Sequence, residues 1–156
     1  MARPMRRSAA GFTLIGLLIA VAGLGILLAG AGEIWHTAQQ RERERELLFV
    51  GNQFKQALDA YYRYTPGRAP RHPTKLEDLL KDPRAPGVQR YLRRIYRDPL
   101  TGVAEWGLVR GPAGEILGVH SLSEQTPIKT GNFAMADKAF EGKTKYADWL
   151  FMIEAK

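Results

Sequence analysis

Residues 12–32 form an uninterrupted apolar run, and this run limits what the chain can fold into more than any other feature. It contains 21 residues without a charge, and eleven of them are Phe, Leu, Ile or Val. As a helix the run would be about 32 Å long, close to the roughly 30 Å thickness of a bilayer's hydrocarbon core. A helix buried in a soluble core usually keeps a polar face, and this run has none. The sequence therefore predicts one transmembrane helix.

The charges on either side of this run predict its orientation. Arg3, Arg6 and Arg7 precede it without an acidic neighbour, whereas the three Arg and three Glu of residues 41–46 cancel. The positive-inside rule then keeps the N-terminus in the cytoplasm and sends the rest of the chain across. A cleaved secretory signal is the alternative, but the run is long for one and no small-residue cleavage site ends it before Trp35.

The junction between the basic leader and the run carries a recognisable motif. The leader ends at Gly11 and is followed by Phe12, Thr13, Leu14 and Ile15. This arrangement resembles the class III signal of type IV pilins and type II secretion pseudopilins. The resemblance implies that a prepilin peptidase removes leader 1–11 after Gly11 and N-methylates Phe12. The physical chemistry is compatible, because glycine leaves the backbone unencumbered for a protease.

Weaker similarity continues into the rest of the chain. Residues 72–79 resemble the short helix that follows the stem of the major pseudopilin, and residues 91–102 resemble its Leu–basic–Asp-Pro–Gly segment. Residues 115–122 resemble the strand that enters the C-terminal loop. The resemblance implies an α+β, type IV pilin-like fold, in which a long N-terminal helix packs on a small antiparallel sheet.

Three departures from the family pattern affect what can be expected. Gly16 stands where the family usually has Glu, which favours a tip or minor subunit, or recruitment through other contacts. The usual kinking Pro near the end of the span is missing, and Glu33 lies in that region. The loop 123–132 offers only Glu124, whereas calcium takes six to eight oxygen ligands. We therefore expect no calcium and no other cofactor or metal.

The helix is expected to continue beyond the span to about Tyr64. Apolar residues follow one another there in steps of three and four, as on one stripe of a helix: Leu47, Val50, Phe54, Leu58 and Tyr61. We expect this stripe to receive the head of the protein rather than a ligand. The Arg/Glu run 41–46 is expected to be a solvated face. The predicted organisation is leader 1–11, transmembrane helix 12–32, periplasmic half of the stem 33–65 and head 66–156.

Patterns in the head predict short elements. Pro66 and Gly67 are expected to end the helix, and Thr74 with Glu77 forms a capping box for a short helix to about Lys81. The remaining expectations are one or two helical turns in 88–96, a β-hairpin of 104–109 and 115–119, a long polar stretch 122–145, and a closing strand or packed tail in 146–153.

No pattern in the chain predicts catalysis. Cysteine is absent, and His36, His72 and His120 fit no metal-ligand spacing. Glu77, Asp78 and Asp82 alternate with Lys and Arg, which is typical of a neutralised surface helix. We therefore expect a protein that is not an enzyme.

Part of the +7 net charge lies in one segment of the head. Residues 63–97 contain ten Lys or Arg and three Asp or Glu. If this segment is helical, four side chains form one face: Arg90, Arg93, Arg94 and Arg97. Such a face could be an anion- or DNA-binding patch, or it could contact acidic neighbouring subunits or anionic lipid headgroups.

The function expected from the resemblance is that of a structural subunit of a type II secretion pseudopilus. The chain would be a single-pass protein of the bacterial inner membrane with a periplasmic head, assembled into a periplasmic filament that drives protein export. Its partners would be copies of itself or other pseudopilins, prepilin peptidase, the inner-membrane assembly platform and the lipid bilayer. The alternatives are a minor type IV pilin with a DNA- or surface-binding role, and a bitopic periplasmic domain that does not polymerise.

Overall fold

The computed structural model describes residues 10–64 and 69–153, apart from the side chains of 10–12 and 27–34. The chain divides within its long helix into two units, 1–39 and 40–156. The helix, α1, spans Ala10–Arg63. The strands are β1 (Gly107–Arg110), β2 (Ile116–His120) and β3 (Phe151–Met152). Short 3-10 turns lie at Leu76–Leu79, Met135–Phe140 and Tyr146–Asp148. The fold is therefore α+β, with a long helix and a small antiparallel sheet.

In the first unit, the described side chains at 13–26 are all exposed. Eight of them are large and apolar: Leu14, Ile15, Leu17, Leu18, Ile19, Val21, Leu24 and Ile26. Among the described residues, no helix combines the length and the hydropathy needed to cross a membrane. The predicted span 12–32 is only partly covered by those residues, because the side chains of Phe12 and 27–32 lie outside them. The described residues also exclude 1–9 of the leader, and Pro66 and Gly67, which were predicted to end the helix.

In the second unit, the sheet has the strand order β1-β2-β3, and both pairings are antiparallel. Leu108 faces Val119 across the first pair, and Phe151 faces Val119 across the second. Residues 111–115 join β1 to β2, and Gly114 has a φ of 82°, a left-handed conformation that glycine adopts without strain. The predicted hairpin is present, but β1 begins at Gly107 instead of 104. Trp106 turns inward there, and its indole N–H donates to the Tyr96 carbonyl at 2.9 Å.

Two local predictions for the segment after the helix are wrong. The short helix is a single 3-10 turn. The capping contact predicted for Thr74 and Glu77 lies one residue later, because the Lys75 N–H donates to the Asp78 carboxylate at 3.2 Å. Residues 88–96 contain no helical turn. The N–H groups of Tyr91 and Leu92 both donate to the Leu79 carbonyl, at 2.9 and 3.0 Å. These two groups therefore pair with the preceding turn and not within their own segment.

Candidate functional site

The predicted apolar stripe of α1 lies in the core of the second unit. All five of its residues are buried: Leu47, Val50, Phe54, Leu58 and Tyr61. The Phe54 ring lies 5.1 Å from the Trp106 ring and 6.2 Å from the Tyr96 ring, between centroids. Further along the helix, the Tyr61 ring lies 5.5 Å from that of Tyr91. Aromatic contacts thus join this helix to the segment 91–106 at two points along the helix, Phe54 and Tyr61.

At Gly51, α1 lies in close contact with a strand of the sheet. A Cβ atom built on Gly51 would lie 2.4 Å from atoms of the Phe151 ring, which is too close for any real contact. Phe151 itself is buried on β3, opposite Val119 of β2. The missing side chain therefore makes room for the ring that connects the sheet to the helix.

A polar stripe runs along α1 beside the apolar one, and it holds the long loop 123–146. Its centre is the buried carboxylate of Glu44. One oxygen of this carboxylate accepts hydrogen bonds from the N–H of Ile128 at 2.6 Å, the N–H of Lys129 at 3.1 Å and the hydroxyl of Tyr146 at 2.8 Å. Hydrogen bonds to a charged acceptor are stronger than neutral ones, so this single side chain fixes both the loop and its return.

The other members of the polar stripe hold the loop on either side of Glu44. The Gln40 amide donates to the Thr126 carbonyl at 3.2 Å and to the Tyr146 hydroxyl at 3.1 Å. The Asn52 amide donates to both oxygens of Asp137, at 3.2 and 3.1 Å. Burial raises the pKa of Tyr146 to about 12, and its hydrogen bond to Glu44 acts in the same direction. The Tyr146 hydroxyl therefore stays protonated and able to donate at any physiological pH.

Aromatic packing completes the attachment of the loop. Phe140 stacks on Trp149 at 5.4 Å between centroids, and Phe133 meets the same indole edge-on at 5.4 Å. Trp149 is fully buried, and Phe140 also meets the Phe151 ring edge-on at 5.0 Å between centroids. The predicted polar stretch thus contributes two aromatic rings to the core.

At its C-terminal end, α1 is bonded to a guanidinium group. Arg84 donates to the carbonyls of Tyr61 and Tyr64, at 2.8 and 3.1 Å, and its Cζ lies 3.6 Å from the centroid of the Tyr61 ring. These are carbonyl groups that a helix end cannot satisfy by itself. The same guanidinium binds the buried Asp82 carboxylate at 2.8 Å. A cation at this position also interacts favourably with the helix dipole.

Asp82 is a further buried carboxylate that holds a segment against α1. It accepts hydrogen bonds from Arg84 and from the Tyr91 hydroxyl at 2.9 Å. Burial alone would raise the pKa of Asp82, but the hydrogen bonds from Arg84 and Tyr91 outweigh it, so the pKa is lowered. The prediction that Asp82 belongs to a neutralised surface helix is wrong, because its side chain is fully buried.

A third buried carboxylate lies in the predicted Asp-Pro–Gly segment. Asp98 accepts the Ser121 hydroxyl at 2.6 Å and the N–H of Leu100 at 2.9 Å, and it joins the segment to the residue after β2. Its backbone carbonyl accepts the N–H of Gly102 at 2.7 Å, and Gly102 has a φ of 78°. The segment therefore forms a tight turn fixed at both ends.

The four arginines of the predicted patch are exposed and lie on an irregular segment, so the helical face imagined for them does not exist. Arg90 donates to the Leu80 carbonyl at 3.4 Å, and the Arg94 guanidinium lies 5.4 Å from the Tyr96 centroid. Within the described part of the chain, none of the four forms an ion pair with an acidic side chain. The tyrosines beside them pack inward and are not presented for stacking.

Other predicted residues are placed as follows. At the predicted cleavage site, the structure describes only the backbone of Gly11 and Phe12. Glu124 pairs with Lys145 at 3.0 Å. In the described ranges, no group of three or more His, Cys, Asp or Glu is arranged to hold a metal.

Sequence reasoning missed Glu44 and Arg84. Glu44 belongs to the alternating run 41–46, which was expected to be solvated throughout, but it is buried. The signal that could have identified it is its spacing, since Glu44 lies three residues before Leu47 and extends the buried stripe. Arg84 has no comparable signal, because its partners are carbonyl groups about 20 residues away.

Comparison of the chain with protein-family models, with curated proteins and with solved structures found no match.

Proposed function

We propose that the chain is a structural subunit of a type II secretion-like pseudopilus. Prepilin peptidase would process it between Gly11 and Phe12, and it would then be assembled from the inner membrane into a periplasmic filament. One observation carries the proposal: a single helix, Ala10–Arg63, presents exposed and uncharged residues throughout 13–26, eight of them large and apolar, and a buried apolar stripe at 47–61. A helix that is apolar all round needs lipid or other helices to cover it.

The role of such a subunit is mechanical. The head is fixed to the helix by the core stripe, by the Glu44 contacts and by the Arg84 bonds at the helix end. A force on the part of the helix that lies in the second unit would therefore move that part and the head together. Addition of subunits at the base would push the filament, and its cargo, outward, while the motor that supplies energy is another protein.

Processing of the leader tests this proposal. Co-expression with a prepilin peptidase should shorten the 17.5-kDa chain by about 1.2 kDa, the share of 11 residues in 156. Gly11→Leu should block the cut, because a large side chain replaces the unencumbered backbone, whereas Ala9→Ser should be cut normally. A chain that keeps its leader in the presence of the active peptidase contradicts both pilin-like functions. A processed chain that never enters a filament supports the bitopic periplasmic domain instead.

A second candidate function is a minor type IV pilin that binds DNA through the arginines at 90, 93, 94 and 97. The observation in its favour is that these side chains are exposed, while the nearby carboxylates of Asp82 and Asp98 are buried and bonded elsewhere. These two carboxylates therefore do not offset the charge of the four arginines. Inward-packed Tyr91 and Tyr96 favour contacts with phosphates over stacking on bases.

Salt dependence tests this second function. Binding of duplex DNA by the full chain in detergent should fall steeply between low and moderate salt and disappear when the four arginines become alanine. Replacement of the four loop lysines 129, 138, 143 and 145 by alanine is the matched control, because it removes the same charge. No binding at low salt, or equal loss in both variants, contradicts a DNA site at these arginines.

A further inference from the structure

A histidine ring joins the C-terminal part of α1 to the start of β2. His72 stacks on Tyr62 of α1, with 4.4 Å between the ring centroids and 15° between the ring planes. The next residue, Pro73, is fully buried, and its carbonyl accepts the N–H of Ile116 at 2.7 Å. Segment 72–73 therefore contacts the helix through a ring and the first residue of β2 through a backbone hydrogen bond. We call these two contacts the latch.

Two polar atoms beside the latch are buried and have no hydrogen-bond partner. One is Nδ1 of His72, and the other is a carboxylate oxygen of Glu115, the residue directly before Ile116. The Glu115 carboxylate is folded back over Gly111, because a Cβ built on that glycine would collide with its other oxygen. A buried polar group without a partner costs free energy, and a buried charge without one costs considerably more. The latch is therefore sensitive to the charge that His72 carries.

We propose that the latch opens when His72 takes up a proton, so that acid frees the turn of the β1–β2 hairpin from α1. A neutral imidazole stacks on the Tyr62 ring and leaves one nitrogen without a partner, whereas an imidazolium adds a charge and a second N–H where Nδ1 is shielded from water. Histidine is the side chain whose charge ordinarily changes between pH 5 and 8. The inference uses contacts within the second unit alone, so it does not depend on the proposed filament.

The charges around His72 determine how strongly its protonation is opposed. The ionisable groups on and next to the latch are Tyr62 of α1, Arg110 and Glu115 of the hairpin, Arg71 of the segment itself, and Arg84, which donates to the Arg71 carbonyl at 3.4 Å. The Glu115 carboxylate favours the protonated form of His72, but burial outweighs this attraction. The pKa of His72 is therefore lowered from its ordinary value of 6.5.

This lowered pKa gives the direction and the upper limit of the acid effect. The stability that the neutral ring contributes is complete above pH 6.5 and is lost as the pH falls through the lower value of the closed latch. At pH 5 the open population can rise at most roughly 30-fold, the limit for a group that has a pKa of 6.5 when open and takes up no proton when closed.

Hydrogen exchange of the full chain in detergent micelles tests the latch, with each rate divided by the intrinsic rate at the same pH. The probe is the Ile116 N–H, which donates to Pro73, and the reference is the Ala147 N–H, which donates to the Ser123 carbonyl at 3.0 Å. Between pH 7.5 and 5.0, the protection of Ile116 should fall roughly tenfold relative to that of Ala147. A ratio that does not change with pH would overturn the proposal.

Substitutions assign this acid effect to one side chain. His72→Phe keeps a ring for the stack on Tyr62 but cannot take up a proton, so the fall in protection should disappear. His36→Phe removes an exposed histidine of the first unit and should leave the fall unchanged. Glu115→Gln should enlarge the fall, because it removes the charge that favours protonated His72, whereas Glu105→Gln, at an exposed site, should not. An equal fall in His72→Phe and wild type, or a smaller one in Glu115→Gln, contradicts the latch.

A titration of the wild-type chain needs no substitution that could impair folding. The ring proton shifts of His72, followed by NMR, should give a pKa below 6.5, and a value at or above 6.5 would overturn the latch. These measurements are separate from leader processing. A chain that keeps its leader contradicts the proposed function and leaves the latch in place, while a processed chain with no acid effect at Ile116 does the reverse.

Discussion

Two segments of α1 have similar apolar content but place it differently. Between residues 13 and 26, large apolar side chains follow one another without an intervening charge, and all of those described are exposed. Between Leu47 and Tyr61 one set of them recurs every three or four residues, and the five residues of that stripe all lie in the core of the second unit. One helix therefore contains a segment whose apolar side chains are exposed and a segment whose apolar stripe is buried. The periodic segment finds its partner within the chain, and under the proposed function the non-periodic segment is covered by lipid or by other helices.

The largest effect should come from breaking the periodic segment. Phe54→Ala removes a fully buried ring that contacts Trp106 and Tyr96, and it should lower the free energy of unfolding by about 3–5 kcal/mol. Leu18→Ala is the matched change in the non-periodic segment, and it should alter this quantity by less than about 0.5 kcal/mol. Urea denaturation followed by tryptophan fluorescence measures both. Equal destabilisation by the two variants would remove the distinction between the segments.

A smaller effect should come from adding a methyl group to the periodic segment. Gly51→Ala places a Cβ against the Phe151 ring and should cost about 1–3 kcal/mol, even though alanine favours a helix by about 1 kcal/mol. Gly87→Ala serves as the control, because a Cβ there meets open space. Unfolding curves of the two variants give the comparison. A more stable Gly51→Ala would mean that helix and sheet are further apart than described.

Loss of the central contact of the polar stripe should lower the free energy of unfolding by an amount similar to, or smaller than, the effect of Gly51→Ala. Glu44→Gln keeps the shape but removes the charge that accepts three hydrogen bonds, and should cost about 1–3 kcal/mol. Its neighbour Glu46 is exposed, so Glu46→Gln should have no measurable effect. Hydrogen exchange should accelerate at Ile128 and Lys129 in the first variant alone. Unchanged protection there would show that aromatic packing is sufficient to hold the loop.

The smallest effect should be a dependence of stability on pH that arises from Asp82. Its pKa is lowered in the folded state, so the stability it contributes is complete above its ordinary value of 3.8 and is lost as the pH falls through the lower folded value. The wild-type chain should therefore lose stability below about pH 4 more steeply than Asp82→Asn. Urea midpoints measured from pH 6 down to pH 2 test this. Parallel pH profiles for the two proteins would contradict a lowered pKa at Asp82.

The elements that could be predicted from the sequence are those set by local pattern. The spacing from Leu47 to Tyr61 predicts the buried stripe of α1, and two apolar segments around Gly111 and Gly114 predict the β1–β2 hairpin. In both cases the residues that form the element also carry its signal, as the period of an amphipathic helix or the glycines of a turn.

The parts that could not be predicted depend on partners distant in the sequence. Glu44 and Ile128 are 84 residues apart, so the spacing of Glu44 to Leu47 could indicate burial but no local pattern identifies the loop that it binds. Residues 88–96 are apolar and basic enough for a helix, but Tyr91 and Leu92 donate to Leu79 instead. Tertiary hydrogen bonds outweighed the helix propensity of this segment. This is common where the N–H groups of one segment bond the carbonyl groups at the end of another.

Cysteine labelling tests most directly the claim that the two segments of α1 have different partners. The chain contains no cysteine, so single substitutions Ile19→Cys and Gln56→Cys report on one site each. With the full chain in vesicles, a membrane-impermeant maleimide should label Gln56→Cys rapidly and Ile19→Cys only after the vesicles are dissolved in denaturant. Equal labelling of the two sites in intact vesicles would contradict the account.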